Sequence, residues 1–268
     1  MTDSKQKYDT GHDPGSSKVR PIATPHWQPF TGFSYIFDNP GDSFSLERSY
    51  KKVSVDVESD GSLALYKRIA QASYDIVTAD DLVNQYFFFP LPSSTYHVTV
   101  WDGLNQEHLK SVKISAKAAF DECFSDPPDS ILNDWPPMKS QVQLRDAFRD
   151  IKSIRLRYKQ LRARGSTVLV VELEPADTDS AKQLESILVE RLRLDDEFLE
   201  LGKPRNQSYV PHVAVGYFSH ASHGDGAIRR FMDSWMSVFD QTVTDGVIEF
   251  RSISLYAFLN MITYIKPA

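Results

Sequence analysis

A single cysteine, Cys123, stands among 268 residues. It can close no internal disulfide, and it cannot supply the clustered thiolates of a structural zinc site. Long apolar runs are missing as well, since no stretch approaches the roughly 18 residues that a bilayer-crossing helix needs. Residues 1–7 lack the apolar centre of a secretory signal. The expectation is a cytoplasmic protein that does not enter a membrane. No segment repeats at the roughly 20–50-residue period of solenoids. Net positive charge is also absent: 30 Lys and Arg stand against 36 Asp and Glu, a formal −6. A protein that coats long nucleic acid would carry a broadly basic face instead.

The basic residues that are present are concentrated. Residues 145–164 hold eight Lys or Arg against Asp146 and Asp150, a local +6 that leaves −12 on the remainder. Such a distribution repels bulk polyanion and attracts phosphate only locally. It favours a small nucleotide or an RNA-terminus phosphate as ligand over a long duplex. With 41% hydrophobic and 25% charged residues, wholesale disorder is excluded. The length fits one large domain or two small ones.

Residues 1–25 are polar and broken by Gly and Pro, and read as a flexible tail or a loosely docked arm; residues 26–268 read as one bilobal domain. Strands are expected at 33–37, around Val53, Val55 and Val57, at 96–101, at 210–218 and at 261–265. Residues 247–259 suggest one long strand. Residues 154–159 alternate apolar with basic and turn at Arg164-Gly165 into 167–173, the pattern of a hairpin. Apolar spacing predicts helices over 180–194, with Leu184, Ile187, Leu188, Arg191 and Leu192 on one stripe, and over 226–239. A third, over 113–124, would bury Cys123 as a small apolar residue. The Pro-rich run at 126–137 reads as a linker between lobes. The mixture argues for an α+β fold with largely antiparallel sheets.

Two histidines sit inside strand patterns, in Tyr96-His97-Val98-Thr99-Val100-Trp101 and in Val210-Pro211-His212-Val213-Ala214-Val215-Gly216. Side chains on a strand alternate faces. His97, Thr99 and Trp101 are therefore expected on one face, and His212, Ala214 and Gly216 on one face, with the valines buried beneath. Imidazole titrates near neutrality, so one such histidine can take a proton while the other gives one. A hydroxyl two residues along, roughly 6–7 Å away on the same face, can bind a phosphate oxygen. Such chemistry needs no metal or other cofactor. His220 and His223, joined by Ala-Ser and without a carboxylate pattern, read as solvated loop residues.

On these residues the chain resembles the two-histidine (2H) phosphoesterase superfamily, whose signature is a pair of strand-borne His-x-Thr/Ser motifs. His97-Val98-Thr99-Val100 matches in full. His212-Val213-Ala214-Val215 matches except that Ala214 replaces the hydroxyl residue, and 115 residues separate the two histidines. The run from Tyr96 to Gly103 is similar to that of an uncharacterised branch of the superfamily. The resemblance implies a bilobal fold in which two antiparallel sheets flank a central cleft, with helices outside. It implies action on 2′,3′-cyclic phosphates, 2′-5′ linkages or cyclic nucleotides, with His97 and His212 as general acid and base and Thr99 holding the phosphate.

Ala214 puts that activity in question, because losing one preorganised donor costs on the order of 10²–10³ in rate. Tyr209, or an arginine of the 155–159 strand such as Arg155 or Arg157, is a candidate to replace it, and Trp101 a candidate to stack on a base. The competing reading is a weakly active or inactive nucleotide-binding relative that acts as a sensor or interaction protein.

Overall fold

The computed structural model describes residues 18–20, 26–47, 50–74, 88–118, 121, 147–164, 167–218 and 225–267. Its strands fall into two antiparallel sheets and one two-stranded ribbon. The ribbon pairs β1 (Val19–Arg20) with β2 (His26–Trp27), so part of the segment expected as a tail is ordered as a strand. The rest of that segment lies outside the described residues.

The six-stranded sheet takes β3 (Gly32–Phe37), β4 (Asp42–Glu47), β5 (Tyr50–Val55), β7 (Thr99–Asn105), β12 (Ile253–Asn260) and β13 (Thr263–Pro267), in the order β4-β5-β13-β12-β3-β7. The five-stranded sheet takes β6 (Phe88–Pro90), β8 (Ile154–Arg164), β9 (Val168–Pro175), β10 (His212–Phe218) and β11 (Val247–Phe250), in the order β11-β8-β9-β10-β6. Among the described residues, the long helices are α1 (Ala64–Tyr74), α2 (Thr178–Glu197) and α3 (Asp225–Val243). None is long and apolar enough to cross a membrane.

Local chemistry explains most of these elements. In β8, Ile154, Leu156 and Tyr158 are buried while Arg155, Arg157 and Lys159 face out, the alternation of a half-buried strand. The Asp177 carboxylate caps α2 by accepting from the Ser180 backbone N–H at 2.8 Å. In α3, Trp235, Phe239 and Val243 are fully buried, and Trp235 meets Phe88 of β6 edge-on at 5.3 Å. Strands 33–37 and 210–218, the 154–173 hairpin and both long helices thus form where the periodicity predicts them.

One expectation is corrected. Residues 247–259 do not form one strand: β11 pairs with β8 in one sheet, and β12 pairs with β3 and β13 in the other. The break falls at Arg251-Ser252, where the Ser252 carbonyl accepts from the Asp38 N–H at 3.0 Å and draws the chain across to β3. In the stretch expected as a third helix, Ile114–Ala116 form a 3-10 turn that leads into α-helix at 117–118 and 121, while 119–120 and 122–124 lie outside the described residues. Lys113 is held extended (φ −62°, ψ 141°), with its N–H on the Glu200 carbonyl at 3.2 Å and its ammonium on the Glu200 carboxylate at 2.9 Å. Cys123 and the run at 126–137 lie outside the described residues.

The two sheets meet at the first histidine motif. β6 pairs with the far half of β10, and after the turn at Ser93–Thr95 the chain comes back against the near half through an isolated antiparallel bridge, Val98↔Val213. From Thr99 onward it leaves β10 and pairs with β3. The chain therefore crosses from one lobe to the other within the first histidine motif.

Candidate active site at the junction of two histidine strands

The bridge fixes the register of the motifs. Around an antiparallel Val98↔Val213 pair, Thr99 stands opposite His212 and His97 opposite Ala214. All four share the face opposite the two valines, both fully buried. Directly opposed Cβ atoms in such a ladder are about 4.5–5.5 Å apart and diagonal neighbours about 7–8 Å. The two histidines are diagonal neighbours across the bridge.

Beyond the bridge, each motif strand carries a bulge at the same step. Thr99 pairs with Ile36 and Trp101 with Tyr35, leaving Val100 unmatched; Ala214 pairs with Val170 and Gly216 with Leu169, leaving Val215 unmatched. An extra residue reverses the alternation that follows it. This corrects the expectation for Trp101, which is fully buried and donates its indole N–H to Asp195 at 2.9 Å. It does not reach the cleft, and Gly216 likewise turns from the face that Ala214 shares with His212. In their place Asp102 and Tyr217, each five residues past its histidine, line a cavity of about 440 Å³ together with His97, Thr99, His212 and Ala214.

Both imidazoles are held in the same way. His97 Nδ1 lies 2.8 Å from the Thr95 carbonyl, and His212 Nδ1 lies 2.9 Å from the Val210 carbonyl. A carbonyl only accepts, so the Thr95 contact places a proton on His97 Nδ1 and leaves its Nε2 for the cavity; the Val210 carbonyl orients the His212 ring in the same way. Burial lowers the pKa of His97, and Lys18 adds to that. Burial and the adjacent Arg164 guanidinium lower that of His212 to about 4. Arg164 Nη1 lies 3.1 Å from His212 Nδ1. The guanidinium is anchored by Glu172, the buried cross-strand partner of His212, at 3.1 Å.

Tyr209 also lines the cavity, but its hydroxyl is already engaged, donating to the Thr99 carbonyl at 2.9 Å. Its ring lies 4.2 Å from the Arg191 guanidinium. Arg191, buried on α2, donates to the carbonyl of the bulged Val100. The motif-1 backbone is thus braced by one residue just ahead of motif 2 and by one helix. Arg155 and Arg157 do not line the cavity. They pair with Asp177 at 3.4 Å and Glu174 at 2.7 Å, farther along β8.

The basic groups that line the cavity are Arg164, Arg191 and Lys18. The bulge at Lys159 (Tyr158 pairs with Leu173 and Gln160 with Glu172) carries the basic ladder on to Arg164 at the end of its strand. Arg191 carried a sequence signal of its own, a charged residue on the apolar stripe of a helix. Burial works to raise the Asp102 carboxyl, but Lys203, Lys18, Arg191 and His212 outweigh it and keep it ionised. Among the described residues, no group of three or more His, Cys, Asp or Glu is placed to hold a metal ion. His220 and His223 lie outside the described residues.

No family model and no curated protein matches the chain. Solved structures do. ATU0111, a conserved protein of unknown function from Agrobacterium tumefaciens, aligns with a TM-score of 0.51 and 12% identity over 94% of this chain and 89% of that one. Usb1 from Kluyveromyces marxianus with uridine monophosphate aligns at 0.38 and 12%, over 88% and 98%. E. coli LigT complexed with 3′-AMP aligns at 0.39 and 10%, over 90% and 96%. At such identities the likeness is one of fold. The fold shared with ATU0111 is α+β, with two antiparallel sheets that here diverge from a junction of two histidine strands.

Proposed function

We propose that the chain is a metal-independent phosphodiesterase acting at the ribose 2′ and 3′ oxygens of a nucleotide or RNA terminus: a 2′,3′-cyclic phosphate, a 2′-5′ linkage or a cyclic nucleotide. The observation that carries this reading is the Val98↔Val213 bridge, because it gathers two imidazoles and a hydroxyl on one face. In-line displacement at phosphorus needs proton carriers on opposite sides, one at the attacking oxygen and one at the leaving oxygen. His97 and His212, diagonal across the bridge with Nε2 toward the cavity, suit those two positions. The neutral Nε2 of one takes the proton of the attacking water or hydroxyl, while the other, entering as imidazolium with both ring nitrogens protonated, gives its Nε2 proton to the departing ribose oxygen, and exchange with solvent restores the starting pair. Which does which follows from the end of the ester that faces each ring. Thr99 donates to a non-bridging oxygen, and Arg164 and Lys18 offset its charge. A volume of about 440 Å³ accommodates one nucleotide, within the usual range for small-ligand sites.

The test is an assay of EDTA-treated protein on 2′,3′-cyclic nucleotides, 2′-5′ and 3′-5′ dinucleotides and cyclic nucleotides. His97→Ala and His212→Ala should each lower kcat at least about 10²-fold while leaving the melting temperature near that of the wild type. Full activity in both variants would overturn the mechanism. Ala214 favours a second reading, a nucleotide-binding sensor of low turnover. Tight binding of a nucleotide without product at high protein concentration would select it.

A further inference from the structure

This inference builds on the reading above and concerns the hydroxyl that the second motif lacks. Thr99 stands beside His212, whereas His97 has only the Ala214 methyl beside it. The phosphate-facing surface therefore has a short hydroxyl on one side and none on the other. On the side of His97 stands Tyr264 of β13. Its ring centroid is 4.3 Å from that of His97, and it lines the same cavity. Its ring also meets Phe258 at 5.9 Å, and no hydrogen bond to a described residue engages its hydroxyl.

The other hydroxyls of the cavity are spent or set back. Tyr209 donates to the Thr99 carbonyl at 2.9 Å, Tyr217 to Met261 Sδ at 3.3 Å, and Ser208 to Asn206 at 3.1 Å. Ser34 pairs across the ladder with Asp102, three residues beyond Thr99. The Thr167 carbonyl holds the N–H of Phe218 at the far end of β10. Tyr264 alone among them has its ring against a histidine. Burial, reinforced by Tyr217 and Asp102, keeps its phenol well above the ordinary value, so it remains a donor throughout the working range.

We propose that the Tyr264 hydroxyl donates to the non-bridging phosphate oxygen on the side of His97, doing the work that a motif hydroxyl at position 214 would do. It forms no bond to phosphorus and transfers no proton; it stabilises charge as that charge builds in the transition state.

The experiment is a cycle of Tyr264→Phe, Ala214→Thr and the double variant. Each is measured for kcat on the best substrate, for Kd of 2′-AMP by calorimetry, and for melting temperature. Phenylalanine keeps the ring against His97 and removes only the hydroxyl. Tyr264→Phe should melt with the wild type, lose about 10²-fold in kcat and bind 2′-AMP about tenfold more weakly. Ala214→Thr should restore at least about tenfold when added to Tyr264→Phe and give far less in the wild type. Wild-type kcat and Kd in Tyr264→Phe, with the histidine variants inactive, would overturn the role of Tyr264 and leave the phosphodiesterase reading standing. A loss that Ala214→Thr does not restore would also overturn it. If the wild type binds without turnover, the Kd comparison decides. A wild type that neither binds nor cleaves would end both.

Discussion

At the scale of single residues, the site is governed by what stands next to each imidazole. His212 has Arg164 3.1 Å from its Nδ1, and burial with that charge lowers its pKa to about 4. Replacing the guanidinium by a neutral donor, Arg164→Gln, keeps a hydrogen bond available to Glu172 and removes the charge. The His212 pKa should then rise, and the acid limb of the kcat/KM profile should move to higher pH. An unmoved limb would mean that His212 does not titrate in the rate-determining form. The two histidines, Thr99 and the gap at Ala214 were legible in the sequence because a strand of period two announces its own faces. Arg164, Arg191 and Lys18 come from three distant segments, and only the closed fold brings them to one cavity. Trp101 was misassigned because alternation holds only as long as pairing is one to one. A bulge is a property of two strands, and the partner of a strand is not written in its own residues.

At the scale of elements, strand β10 shows how tightly the bulged geometry is packed. A Cβ on Gly216 would lie 2.5 Å from the Phe89 carbonyl oxygen and 2.3 Å from the Phe88 ring. The first of these is backbone of the neighbouring strand and cannot swing aside. Gly216→Ala should therefore cost at least about 2 kcal/mol, in the range of overpacked cores, and urea unfolding would measure it. A loss below about 0.5 kcal/mol would show that β6 can move away. Helix α2 was legible as an amphipathic stripe, yet its buried face includes Arg191 and Asp195. They are polar because that face serves the motif-1 strand: Arg191 holds the Val100 carbonyl, and Asp195 accepts from Trp101. The run at 247–259 reads as continuous β pattern because both of its halves are strands. What the pattern omits is that they belong to different sheets.

At the scale of the whole molecule, acid acts on the fold in two stages. His212 is held at about 4 against an unfolded value near 6.5. Between those limits the unfolded chain binds more protons, so this contribution is complete above about pH 6.5 and declines as the pH falls toward 4. Asp38 responds lower down. Burial works to raise its carboxyl, but Tyr256, Ser254, Ser252 and Lys266 outweigh it and hold it below the ordinary 3.8. Its contribution is present above that value and is lost as the pH drops through the folded one. The melting temperature should thus fall between pH 7 and 4.5 and fall again below 4. Asp38→Asn should weaken only the second drop, and a single transition unaffected by that variant would refute the scheme. The matched bulges carry a last consequence. Asp102 follows His97, and Tyr217 follows His212, by the same five positions, with one unmatched residue inside each interval. Gain or loss of one residue there would turn half of the pocket lining into the core, whereas substitutions around it leave the lining in place. The count from histidine to pocket, more than the identity of the residues between, sets which side chains face the cavity.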